Sequence, residues 1–215
     1  MMHIPRGLSA ALLAGLLTMT PALAAEPAAA GIVMKVTGQT TPDLPFRAEI
    51  PADTAIQLGP AVELTFLHYR KCKLVTVVGG TLELSAGDFT TDGKVERELP
   101  GPCPRVYQLA GSAGGWVSRD LPPRIPVNPE IIFAGQRADR ITEAAVYAQD
   151  QRERPVFRFD LVDRRATEPA AAAPLTAEHR YVLRIKMSDQ ADHIEHGFVA
   201  VAPGTGGSLV VLRID

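Results

Sequence analysis

Apolar residues in this chain come in short alternating runs that Gly, Pro or Asp cuts off before a helix completes three turns. In "AVELTFL" the residues Val62, Leu64 and Phe66 share one face, with Glu63 and Thr65 on the other. In "PVFRFDLV" the residues Val156, Phe157, Phe159 and Leu161 stand around Arg158 and Asp160. A period of two belongs to half-buried strands. With 18 Gly and 18 Pro in 215 residues, the breaks recur too often for long helices. The expected class is therefore all-β, built as two small β domains.

The first 24 residues read as an export leader. Arg6 is the one firm cation, "GLSAALLAGLLTM" is the apolar stretch, and Ala22-Leu23-Ala24 completes an A-x-A cleavage pattern. That apolar stretch is shorter than the ~18–20 residues of a membrane span. Cleavage after Ala24 predicts a periplasmic or secreted protein without a stable membrane anchor. Loss of Arg6 takes the formal charge of -2 one unit lower. A chain this near neutrality lacks the basic excess of a non-specific nucleic-acid binder.

Within the exported part, "GIVMKVTG", "TAIQLG", "AVELTFLHY" and "KLVTVVGGTLELSAG" read as strands, and Asp92-Gly93 as a hairpin turn between "DFTT" and "KVEREL". "LPPRIPVNPE" carries Pro122, Pro123, Pro126 and Pro129, a density that excludes a central strand and predicts an extended linker. The expected organisation is a first β domain over 31–120, a linker over 121–129 and a second over 130–215. Six strand candidates follow: "EIIFAG", "RITEAAVYA", "RPVFRFDLVD", "HRYVLRIKM", "HGFVAVAPG" and "SLVVLRID". The last two read as a terminal hairpin turning at Pro203 to Gly207. "ATEPAAAAPL" is a low-complexity loop.

Cys72 stands in "LHYRKCKLVTVVGG" among Arg70, Lys71 and Lys73, cations that can lower a thiol pKa. Read on a strand, Lys71 and Lys73 face away from Cys72, and no C-x-x-C spacing exists. In an oxidising compartment two cysteines normally pair. Cys72 and Cys103 are thus expected as a structural disulfide closing a loop of about 30 residues; a thiol–disulfide redox pair is the competing reading.

"DHIEH", Asp192 to His196, is the one histidine cluster. On a helix His193 and His196, with Glu195 or Asp192, would share a face and suit Zn²⁺, the basis for a metal-dependent hydrolase. On a strand i and i+3 diverge, and the spacing is not that of zincins. "GTGG", Gly204 to Gly207, lacks the Lys and helix of a phosphate loop, and Ser112 in "AGSAGG" lacks the G-x-S-x-G setting. No cofactor is expected. Tyr69, Arg70, Lys71 and Lys73 are the candidate binding residues, with Arg152, Arg154 and Arg158 as a second basic cluster and Trp116 as a further aromatic. An anionic envelope polymer or an envelope protein is the expected partner.

Residues 31–80 resemble the periplasmic FecR-like β domain, carried by the "GxVxxVxG" pattern of "GIVMKVTG" and the stepped "AIQLGPAVELTFLHYRKCKLVTVVGG". The resemblance implies a small β module in the cell envelope. FecR regulators also carry a membrane span and an anti-sigma segment, neither of which is expected here, so the signalling role is not carried over. The second half resembles an immunoglobulin or fibronectin type III sandwich. "PLTAEHRYVLRI" sets Leu175 six residues before Tyr181, as in a tyrosine corner, where the phenol bonds to upstream backbone. Together these readings predict a non-catalytic binding or scaffold protein of the cell envelope.

Overall fold

The computed structural model describes residues 28–109, 122–162, 165–167, 174–202 and 208–214, and their architecture is all-β. The expected leader, Ser112, Trp116 and the Pro203–Gly207 segment lie outside these residues.

Seven strands form the first sheet: β1 (Ala29–Thr37), β2 (Thr40–Thr41), β3 (Glu49–Pro51), β4 (Thr54–His68), β5 (Lys73–Leu84), β6 (Phe89–Thr91) and β7 (Lys94–Pro100). The order is β3-β1-β4-β5-β6, with β2 also beside β4 and β7 beside β5. "TAIQLG" and "AVELTFLHY", expected as two strands, are one. Strand β4 runs through both, and its pairing with β5 skips between Leu58 and Glu63. Pro60 sits in that skip, where no ladder hydrogen bond is asked of it.

Opposite the skip, Gly79 and Gly80 take φ of 63° and 75°. A Cβ on Gly80 would lie 2.4 Å from Asp92 Oδ1 and 2.5 Å from the Gly93 nitrogen, so only glycine fits. The long strands bend there and wrap a core that includes Ile50, Ile56, Leu64, Phe66, Val75 and Leu82. The bend also corrects the Asp92-Gly93 expectation. Strands β6 and β7 do not pair with each other; both pair with β5, at Leu82–Leu84 and Lys73–Val78. Asp92-Gly93 is a kink in one edge, following the bend of β5.

The remaining strands are β8 (Arg105–Leu109), β9 (Arg124–Pro126), β10 (Glu130–Ala134), β11 (Ile141–Ala148), β12 (Gln151–Arg158), β13 (Asp160–Val162), β14 (Arg165–Thr167), β15 (Arg180–Met187), β16 (His193–Val201) and β17 (Leu209–Ile214). They form two five-stranded sheets, β13-β14-β10-β17-β8 and β12-β11-β15-β16-β9. Both contribute to one core, where Phe133 and Val210 of the first meet Val146, Leu183 and Phe198 of the second.

Three expectations change here. Residues 121–129 do not act as a free linker: β9 pairs in parallel with β16, and Pro123, Ile125, Pro126 and Pro129 are buried. A sheet edge tolerates proline because its outer N–H needs no partner. Strand β8, expected in the first unit, instead pairs in parallel with β17. The terminal hairpin does not form: β16 pairs with β15 and β9, whereas β17 lies between β10 and β8 in the facing sheet. Residues Leu209 to Leu212 are all buried, as a central strand covered on both faces requires.

Between the first sheet and the β13-β14-β10-β17-β8 sheet lies a small apolar seam. Ile32 and Leu67 of the first pack with Ile132 and Leu209 of the second, flanked by Tyr69 and Leu74.

Candidate functional site

The Cys72 segment is a turn, not the strand on which its neighbours were expected to alternate. Residues Tyr69 to Cys72 link β4 to β5, and Cys72 adopts φ of 51°. Cys72 and Cys103 form a disulfide with Cα atoms 4.7 Å apart across 31 positions. The returning strand is held close, since the Gly101 N–H donates to the Cys72 carbonyl at 2.7 Å and a Cβ there would meet Leu67 at 2.7 Å. The bond therefore ties the exit of β7 to the β4–β5 turn.

The four residues expected to bind there do not share a surface. Lys71 pairs with Asp88 and Lys73 with Glu98. Tyr69 turns into the seam and donates its phenol to Glu49 Oε1 at 3.0 Å. Burial, and then the Glu49 carboxylate, push that phenol far above its usual value of 10. Of the four, only Arg70 is exposed with no partner among the described residues. Next to this turn, and missed in the sequence, His68 is wholly buried, and its Nδ1 accepts the Lys71 N–H at 3.3 Å.

The "DHIEH" residues diverge as a strand requires. His193 is exposed, whereas His196 shares the inward face with Ile194 and Phe198 and is 0% exposed. Burial lowers the His196 pKa to about 4, so its ring is neutral at ordinary pH. Glu195 points outward to Arg184, with Nη2 at 2.8 Å, and to Arg152 at 3.0 Å. Two guanidinium partners occupy the carboxylate that a hydrolase would need as base. Among the described residues no three His, Cys, Asp or Glu side chains gather as a metal site.

What the tertiary structure does assemble is the outer face of the β12-β11-β15-β16-β9 sheet. Residues Arg158, Ala145, Arg184 and Glu195 stand in one row across β12, β11, β15 and β16. The next row is Tyr147, Val182 and Gly197, and the one beyond is Arg180, Val199 and Arg124. The Arg184 guanidinium lies 4.6 Å from the Tyr147 ring centroid and is held by Glu195 on its other side. A cleft of about 250 Å³ opens at the last row, lined by Pro122, Arg124, Glu178, Arg180 and Val199.

Of these cations the sequence reading had singled out only the β12 cluster. A usable signal was present in "RYVLRIKM", where Arg180, Arg184 and Lys186 occur at even spacing and so share one strand face. A second cleft, of about 440 Å³, lies at the far end of the first sheet beside Asp53, Glu83 and Asp88. There the Lys71 ammonium and the Phe89 N–H hold the Asp88 carboxyl below its usual range. Comparison with protein-family models, curated proteins and solved structures finds no match.

Proposed function

We propose that the chain is an exported binding or scaffold module of the cell envelope. The observation that carries this reading is how the chain presents its surfaces. A disulfide ties the crossover between the units, and the seam at Ile32, Leu67, Ile132 and Leu209 joins them. One broad arginine-lined face therefore stands on a braced support. The paired cysteines and the A-x-A leader pattern support export. The FecR-like reading of residues 31–80 rests on "GIVMKVTG" and its stepped continuation. The immunoglobulin-like reading rests on the Thr176 N–H donating to the Tyr181 phenol at 2.8 Å.

The test is cell fractionation with intact mass, together with photo-crosslinking from residue 180 on the arginine face and from residue 35 as a distant control. Expected are a periplasmic chain beginning at Ala25, two hydrogens lighter than its reduced form, and a reproducible crosslink from position 180 alone. An uncleaved cytoplasmic chain, two free thiols or stoichiometric bound zinc would overturn the reading.

A further inference from the structure

Resting on the binding-module reading, we infer that the outer face of the β12-β11-β15-β16-β9 sheet holds an acidic glycan. Its furrow runs between the Arg184–Glu195 row and the Arg124–Arg180 cleft. The floor is the exposed Gly197 of β16, whose partner on β15, Val182, is buried. The two flanking rows are four residues apart on β15, roughly 13 Å at strand rise, which leaves room for one extended chain.

Gly197 is the informative residue. Its φ is not positive, and a Cβ built there would meet nothing closer than the Tyr181 carbonyl at 3.9 Å. Neither the backbone nor its neighbours require glycine. Mid-strand glycine is destabilising relative to alanine, so here the residue weakens its own strand. What it supplies is space: the backbone at Gly197 is exposed between the two rows because this position has no side chain.

The flanking groups select the ligand chemistry. Every cation from residue 105 onward except Lys186 is an arginine, the side chain whose fork matches carboxylate and sulfate bidentately. Arg124 and Arg180 are exposed in the cleft, and the Arg124–Glu178 pair is loose at 3.5 Å. Glu178 and Glu195 are acceptors set among those donors. Sugar hydroxyls both donate and accept, so an acidic sugar chain satisfies both kinds of group. A bare polyphosphate carries no sugar hydroxyls to donate to those carboxylates. A membrane surface is disfavoured because Val156 is the sheet's one exposed large apolar side chain among the described residues, whereas interfacial docking uses several.

The experiment titrates the full exported chain with labelled oligogalacturonate and, separately, with a heparin-derived oligosaccharide, which tells a carboxylate source from a sulfate source. Neutral dextran, polyphosphate and phosphatidylglycerol vesicles are the comparison probes. Expected is saturable binding of at least one acidic glycan that exceeds all three. Gly197→Val should weaken it tenfold or more while the melting temperature holds or rises. The double variant Arg124→Gln/Arg180→Gln should weaken it as much, and it decides the matter if Gly197→Val does not fold. No saturable glycan binding, equal binding of polyphosphate or vesicles, or unchanged affinity in the variants would overturn the inference. If glycan binding is absent while the position-180 crosslink persists, this inference alone falls; loss of both removes the binding-module reading as well.

Discussion

Glu49 on β3 and Arg213 on β17 meet at 2.8 Å across the seam, with only 9% and 19% of their side chains exposed. They lie 164 positions apart in the chain and join the first sheet to the β13-β14-β10-β17-β8 sheet electrostatically where Ile32, Leu67, Ile132 and Leu209 join them by packing. Removing one partner of so enclosed a pair strands the other charge away from water. Arg213→Leu should lower unfolding stability by about 3–5 kcal/mol, and adding Glu49→Gln should restore most of it. Urea denaturation of the single and double variants measures both.

Tyr69 extends that pair to a third group. Above pH 10 the unfolded phenol ionises, while the folded one, raised by burial and by Glu49, does not. The folded state then holds the extra proton, so stability is fully present below pH 10 and falls as pH rises beyond it. Tyr69→Phe should flatten this alkaline loss, read as melting temperature against pH from 9 to 11.

His196 gives the opposite slope in acid. Its folded pKa of about 4 lies below the ordinary 6.5. Between those values the unfolded chain takes up a proton that the folded chain refuses, so stability is present above pH 6.5 and lost as pH falls toward 4. The full loss is on the order of 3 kcal/mol. His196→Leu should remove the dependence in that window, whereas His193→Leu, at an exposed position, should leave it intact.

The disulfide should act on stability rather than on the arginine face. Replacing Cys72 and Cys103 together with serine opens a 31-position loop, which costs about 3–4 kcal/mol on the chain-entropy view. For a chain of this size that lowers the melting temperature by about 10 °C. Calorimetry checks the shift. The position-180 crosslink should survive below the new melting point.

Gly80 and Gly197 should respond in opposite ways. At Gly80 a Cβ meets Asp92 and Gly93 within 2.6 Å at φ of 75°, so Gly80→Ala should cost about 1–3 kcal/mol. At Gly197 the Cβ has space, and Gly197→Ala should be neutral or gain up to about 1 kcal/mol. Thermal melts of the two alanine variants decide it.

Local chemistry alone carried much of the fold. Alternation in "AVELTFL" determined that this segment is a strand and which face is apolar, because side chains on extended backbone point to opposite sides in turn. By contrast "PVFRFDLV", expected as one strand, breaks at Phe159 into β12 and β13 of the two different sheets. Leu175 and Tyr181 announced the phenol-to-backbone bond that Thr176 makes. Two cysteines, the only two in the chain, announced their own pairing. Alternation does not say which strand lies beside which, since any two apolar faces bury equally well until the whole chain closes. Only the tertiary structure decided that β16 and β17 part into facing sheets, that Pro126 sits in a strand edge, and that Asp92-Gly93 follows a bend instead of turning a hairpin. The arginine face belongs to the same kind of fact. Arg158 and Arg184 come from separate segments, as do Arg124 and Arg180, and sheet register, a long-range property, sets each pair in one row.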